Sequence, residues 1–370
     1  MIVKLTSKEE NEHKLTEYFN VFASESDETS LSHAAVITQN SIYCGGYISA
    51  GIVTAVGTPP NYRRNSYVRH FFDHVFSMAP ERGWVVALLH PFSFAYYRKF
   101  GFEKVSDHRV LEFPMSALNY IPRCSELVKL ENEQHIGDAL QIFGQFAKSR
   151  NLMLERYDGT HYNSKTVYIW YDGNGRPASY ITLRNENYYY VNRMVGVALH
   201  VDEMVYTSRE SLMALFGFIR MFEGEQEKVI IHDASMLPEV DVILKNYTHT
   251  GYKLIPDIAA RILNVEKLLL ANAYPKEHGH FTVRVEDTLD YTRGVYAVEY
   301  QDGKAEVRKL PDTAPYDLSA AMPAFSQMVY GYEQYNADIA AYMDGVTLEN
   351  RAEDFFRAFP KRYNGVFEHF

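Results

Sequence analysis

The chain has 370 residues, 46% of them hydrophobic, and a formal net charge of −10 from 37 basic and 47 acidic side chains. That length suits two or three domains with real cores, and an acidic chain without a long basic run argues against a nucleic-acid partner. The 29 Tyr and 22 Phe predict aromatic-rich pockets, and the acidic balance suits a cationic substrate.

The two cysteines, Cys44 and Cys124, have no CxxC neighbour, so reduced thiols are expected rather than a zinc site or a disulfide framework. His33 and the "HGH" at 278–280 read as ordinary polar residues without metal-ligand spacing. The start, "MIVKLTSKEENEHKL", turns charged within ten residues, unlike a signal peptide. No apolar run approaches the ~20 residues of a bilayer span. A soluble, cytoplasmic protein is expected.

In chain order, "SKEENEHKLTEYFNVFA" carries a Ser cap and apolar residues at helical spacing, which predicts a helix. "HAAVITQNSIYCGGYIS" and "AGIVTAVG" predict strands with a turn or bulge at Gly45 and Gly46. After the loop "TPPNYRRNS" comes a helix, "SYVRHFFDHVFSMAPERG". The continuous apolar run "WVVALLHP" predicts a strand buried on both faces, and "SFAYYRKFGF" a short helix capped by Gly101. "DHRVLEFPMSAL" reads as the last strand and exit of this first unit, near Leu118.

A second unit begins near Val128. "NEQHIGDALQIFGQFAKSRN" is an amphipathic helix, and "KTVYIWYDGNGRPASYITLR" a hairpin turning at "DGNG". "HVDEMVYTS", "RESLMALFGFIRMF" and "EKVIIHDA" read as strand, helix and strand, repeating the order of the first unit and predicting an internal duplication. The second copy lacks the proline loop and the arginine pair, so the chemistry is expected in the first alone. A third unit starts near Leu268. "GHFTVRVED" and "GVYAVEYQDGKAEVRKL" predict strands with a hairpin at Asp302-Gly303, and "YDLSAAMPAFSQMVYGY" adds a helix. "ADIAAYM" and "RAEDFFRAFP" follow. The apolar, aromatic tail "KRYNGVFEHF" predicts a buried end.

The loop after "AGIVTAVG" carries the chemistry. Where a strand ends and a helix starts, unpaired N–H groups and the helix dipole suit a pyrophosphate, and Arg63, Arg64 and Arg69 add charge. The pattern V-x-T-x-P-x-Y-R-R, followed by a helix, a buried strand and "FAYYRKFGF", resembles the GCN5-related N-acetyltransferases. Their loop, Q/R-x-x-G-x-G/A, falls here on Arg63, Arg64, Asn65, Ser66, Tyr67 and Val68, with Ser66 and Val68 at the glycine positions.

Across nearly the whole chain, "TPPNYRR", "ALLHPFSFAYYRKFGF" and a terminal Phe resemble the Eis (enhanced intracellular survival) acetyltransferases. The resemblance implies an α/β (α+β) fold: two tandem acetyltransferase-like domains, residues 1–122 and 123–267, and a sterol-carrier-like α+β domain, 268–370, whose tail reaches the active site. It implies acetyl-CoA as cofactor, with Val56, Gly57 and Thr58 along the pantetheine. The amides of Arg64 to Arg69 would face the phosphates, and Phe92 and Ser93 would touch the coenzyme. It implies Tyr97 as general acid and the terminal carboxylate of Phe370 as general base. It also implies N-acetylation of a primary amine and assembly as a homohexamer; the acidic balance and aromatic content suit a polyamine, an aminoglycoside or a lysine side chain of a peptide as that amine.

His90 reads as a packing or substrate-wall residue. A second reading is a lipid- or ligand-binding module with a decayed loop, supported by the missing glycines. A third, an assembly protein, has only the aromatic content behind it.

Overall fold

The computed structural model describes residues 1–186, 189–190, 193–194, 198–245 and 247–370, and none of the described helices is long and apolar enough to cross a membrane. The chain forms two compact units, residues 1–106 with 257–370, and residues 107–256.

The first stretch gives β1 (Ile2–Glu10), β2 (Leu15–Phe22), β3 (Ser32–Tyr43), β4 (Gly46–Gly57), α1 (Tyr67–Arg82), β5 (Val86–Leu89), α2 (Phe94–Tyr97) and β6 (Glu103–Lys104). The segment expected to be an N-terminal helix is a hairpin, with β1 and β2 paired from Ile2↔Phe22 to Glu10↔Leu15. The Asn11 side chain accepts from the amides of His13 and Lys14 at 3.0 and 2.8 Å, a turn that reverses the chain. Phe19 and Val21, two residues apart, both enter the core, which is strand spacing.

Helix α1 buries Val68, Phe71, Phe72, Val75, Phe76 and Ala79, a single face at three- and four-residue spacing. It ends at Gly83 (φ 71°), where the amides of Gly83 and Trp84 return to the last turn. Phe72 packs at the centre of a core that also holds Phe19, Val36, Trp84, Tyr97 and Phe102.

The second unit holds β7 (Asp107–Pro114), β8 (Val128–Lys129), α3 (Glu133–Ala147), β9 (Thr166–Tyr171), β10 (Pro177–Glu186), β11 (Tyr189–Tyr190), β12 (Arg193–Met194), β13 (Ala198–Tyr206), α4 (Arg209–Ile219), β14 (Lys228–Ile231), α5 (Pro238–Ile243) and β15 (Gly251–Pro256). The expected α3, "DGNG" hairpin and strand-helix-strand are present. The strand at 107–114 forms as expected but does not complete the first sheet: it pairs with β14 and β15.

The strand that completes the first sheet is β16 (Ala259–Ile262), antiparallel to β5. It leads into α6 (Val265–Leu270), β17 (Gly279–Glu286), β18 (Gly294–Gln301), β19 (Lys304–Leu310), β20 (Leu318–Ala321), α7 (Met322–Val329), α8 (Ala337–Ala340), β21 (Val346–Leu348) and α9 (Glu353–Ala358). The last five strands form a sheet in the order β19-β18-β17-β20-β21.

The orders of the two seven-stranded sheets correspond strand for strand, β1-β2-β3-β4-β5-β16-β6 and β8-β9-β10-β13-β14-β7-β15. Each contains one parallel pair, β4 with β5 and β13 with β14, and the helix that follows the first strand of that pair is α1 or α4. This correspondence supports the internal duplication, with a strand exchanged in each direction.

Candidate active site

β4 pairs with β5 only over Ala50–Ile52. Beyond that, a bulge interrupts its register with β3 between Thr54 and Gly57, and Ala55 takes φ 52°. The strand end is thereby released from β5. The Ser32 hydroxyl holds it, bonding the Gly57 carbonyl and the Thr58 hydroxyl at 2.9 Å each. Arg63 Nε donates to the Thr58 carbonyl at 3.1 Å, so this arginine closes the loop as well as charging it. Asn65 Nδ2 donates to the carbonyls of Tyr62 and Arg63 at 3.1 and 3.3 Å.

Arg64 and Ser66 both have positive φ, 68° and 61°. Ser66 is the N-cap of α1, and its side chain makes no capping bond. Among the described residues the amides of Arg64, Asn65, Ser66, Tyr67 and Val68 find no protein acceptor, while that of Arg69 donates to the Ser66 carbonyl at 3.0 Å. The open run of amides thus ends one residue earlier than the resemblance implies. Val68 is already helical and turns its side chain into the core.

These residues border a cleft of about 720 Å³ lined by Val56, Gly57, Thr58, Arg63, Arg64, Asn65, Ser66, Tyr67, Val68, Arg69 and Phe92. Tyr62, Tyr96, Lys99 and Phe100, which the sequence reading missed, complete the lining. Ser93 is absent from it; its hydroxyl caps α2 by accepting from the Tyr96 amide at 3.3 Å. The lining carries four cations, Arg63, Arg64, Arg69 and Lys99, and no acidic side chain among the described residues. In a chain of net charge −10 this is a local anion site. Open amides at a helix start, unopposed cations and this volume fit a coenzyme with a diphosphate.

Tyr97 closes α2 and is 3% exposed, with Phe72, Phe92, Tyr96 and Phe102 against its ring. Burial, and secondarily Tyr96, pushes its hydroxyl up to about 12. Phe92, 75% exposed, and Tyr96 are the members of this aromatic group that line the cleft.

His90, two residues before Phe92, is where the C-terminus arrives. The Phe370 and His90 rings have centroids 4.5 Å apart. His90 Nδ1 lies 3.0 Å from an Asp257 carboxylate oxygen and Nε2 3.4 Å from the Glu368 carbonyl. The segment His90–Phe92 therefore touches Phe370 at one end and Tyr97 at the other. Sequence reasoning gave His90 a wall role and did not single out Asp257, which lies 167 residues away.

The turn after Tyr97 is held from the exchanged strand. Arg261 on β16 is 1% exposed, pairs with both oxygens of Asp287 at 2.7 and 2.9 Å, and donates to the Phe100 carbonyl. Its guanidinium fills the space beside Gly101 (φ 82°), where any Cβ would collide with it.

A parallel strand pair splayed at a bulge, with an open-amide loop running into a helix, is the architecture of the GNAT acetyltransferases. Residues 4–105 match the family described as Acetyltransferase (GNAT) domain. The chain carries a GNAT domain and is an acetyltransferase by class. No curated protein matches it.

Among solved structures it is similar to a GCN5-related N-acetyltransferase from Anabaena variabilis, with 17% identity and TM-score 0.82 over 95% of this chain and 89% of that one. It is also similar to a conserved protein of unknown function from Enterococcus faecalis, a probable N-acyltransferase, with 17% identity and TM-score 0.79 over 97% and 90%. Eis1 from Mycobacterium abscessus shares 14% identity with TM-score 0.78 over 95% and 91%. At these identities the likeness is one of fold, and in fold the Eis resemblance read from the sequence holds along almost the entire chain.

Proposed function

We propose that this protein is an acetyl-CoA-dependent N-acetyltransferase acting on a primary amine of an aminoglycoside, a polyamine or a peptide. The observation that carries the reading is a cleft with four cations, no acidic side chain in its lining and five main-chain amides that find no protein acceptor among the described residues. When bound, acetyl-CoA supplies an acetyl group activated as a thioester. Arg64 to Val68 would hold its diphosphate by main-chain N–H groups, with Val56, Gly57 and Thr58 along the pantetheine arm and Phe92 beside it, while Ser93 caps the helix that carries Tyr97.

Tyr97 is the proton donor in this reading. A hydroxyl at about 12 stays protonated at every working pH. Giving the proton fully to a thiolate near ~8.5 would cost about 5 kcal/mol. Tyr97 Oη therefore acts first as a hydrogen-bond donor to developing negative charge and releases its proton only as that charge completes.

The terminal carboxylate of Phe370 is the proposed proton acceptor. A carboxyl near ~3.5 faces an ammonium near ~10, an uphill gap of about 9 kcal/mol. The carboxylate thus selects a neutral amine or acts through a water. Residues 123–267 are read as the degenerate copy, 268–370 as a sterol-carrier-like domain that delivers the tail, and the working form as a cytoplasmic homohexamer.

Calorimetric titration of the full chain with acetyl-CoA tests the reading. One saturable site is expected, and substitution of Arg64 and Arg69 by Met should weaken it. Absence of binding at millimolar acetyl-CoA would favour the ligand-binding-module reading instead.

A further inference from the structure

The last nine residues run from a buried anchor to the candidate site. Arg362 donates to Asn272 Oδ1 at 2.6 Å, and its amide donates to the Gly331 carbonyl at 2.8 Å. Two residues on, Asn364 is 7% exposed. Its Nδ2 gives one proton to the Val105 carbonyl at 2.9 Å and the other to the Tyr330 carbonyl at 2.8 Å. Val366 is buried at 4%. The chain then reaches His90 through the Glu368 carbonyl and the Phe370 ring.

Val105 belongs to a crossing that also carries Asp257. The Val105 amide donates to the Ile258 carbonyl at 2.9 Å, and the Asp257 amide to the Ser106 carbonyl at 3.1 Å. The Ser106 hydroxyl in turn accepts from the Ile258 amide at 3.1 Å. One rigid crossing therefore holds both ends of the path. Asn364 fastens the tail to it at Val105, and Asp257 fastens His90, which receives the terminal residue. A planar amide with two protons matches two carbonyls from separate segments; Asp at this position would offer neither proton.

We infer that Asn364 is a positioning residue: it sets the register of the C-terminal tail, and with His90 it fixes where the terminal carboxylate stands. The inference rests on the reading that the terminal carboxylate works in the site, and the two are separable by experiment.

Carboxypeptidase Y acting on the full chain reports release of Phe370, which requires the tail to leave His90. Asn364→Ala and Asn364→Asp should speed that release by roughly tenfold or more, because trimming follows the population of the open tail. The melting temperature should stay near that of the parent. Asn364→Gln keeps both protons on a side chain one methylene longer, and serves where Asn364→Ala does not fold; it too should release Phe370 faster. Release at the parental rate from folded variants overturns the inference.

Kinetics distinguish positioning from mere stability: Asn364→Ala should lower kcat by about tenfold or more with KM for acetyl-CoA unchanged. It should add no further loss in a chain already trimmed of Phe370. Equal losses in trimmed and untrimmed chains would also overturn it. Full activity of the trimmed parent would instead refute the catalytic reading of the carboxylate and leave the anchor to be judged by the release rates.

Discussion

The His90 and Phe370 rings pack against each other with centroids 4.5 Å apart and planes tilted by 45°, which joins the residue after the buried strand β5 to Phe370. A terminal carboxylate is normally a solvated charge on a frayed end. Under the proposed function the Phe370 carboxylate is held beside the segment that leads to Tyr97, and a residue placed after it would remove that carboxylate.

Adding even a few residues after Phe370, or amidating it, should therefore cut kcat by about a hundredfold, with acetyl-CoA affinity and melting temperature little changed. Steady-state kinetics on extended and amidated chains check this. An extended chain with parental kcat would remove the carboxylate from the mechanism.

Tyr97→Phe should lower kcat by about a hundredfold or more while calorimetric affinity for acetyl-CoA stays within twofold. The pH dependence has a defined sign. The donor is active when protonated, and burial raises its pKa to about 12, so the protonated form persists upward in pH. The parent's kcat should not decline between about pH 8 and about pH 10, where an ordinary tyrosine would already be half ionised. A descending limb centred near ~10 that disappears in Tyr97→Phe would show that burial does not raise this group as the geometry requires.

Ser66→Gly tests the loop. Serine takes little more room than glycine, so the sequence suggests a harmless exchange, but the structure locates the cost elsewhere. Ser66 sits at φ 61°, in the left-handed region that only glycine enters freely. Relief of about 0.5–1 kcal/mol is expected in urea unfolding, together with several-fold tighter acetyl-CoA binding through freer amides. A variant no more stable than the parent, with unchanged affinity, would mean the loop carries no strain at this residue.

Arg261 and Asp287 form an ion pair with side chains only 2% and 3% exposed. Asp287→Ala should destabilise by about 3–5 kcal/mol because it strands a buried guanidinium, and replacing both by apolar residues should recover much of that loss. Arg261→Lys, unable to bridge Asp287 and the Phe100 carbonyl together, should lower kcat more than it raises KM. Urea midpoints and kinetics on the singles and the double decide it. A freely tolerated Asp287→Ala would show the pair does not brace the turn after Tyr97.

Much of this was legible in the sequence because local chemistry decided it. The face of α1, the "DGNG" hairpin and the Gly101 cap follow from spacing and turn residues alone. Arg63, Arg64 and Arg69 were found because strand, loop and helix are contiguous, Val56, Gly57 and Thr58 came from the family resemblance, and Tyr62 was missed. The failures have physical causes. Leu15, Tyr18, Phe19 and Phe22 fit helical spacing, but a side-chain turn at Asn11 and the two-residue pairing of Phe19 with Val21 decide for a hairpin. The exchange of β7 and β16 between sheets was invisible because the partners of both strands lie far along the chain. Asp257, Arg261 and Asn364 were missed for the same reason: each acts at a distance in sequence that no spacing rule reaches.

The central claim is amine acetylation, and free thiol released from acetyl-CoA by the full chain measures it most directly. With saturating acetyl-CoA and a panel of spermidine, kanamycin and a lysine peptide, at least one amine should raise thiol release well above the amine-free rate, and Tyr97→Phe should abolish that increment. Thiol release that is the same with and without every amine, despite bound acetyl-CoA, would contradict the account.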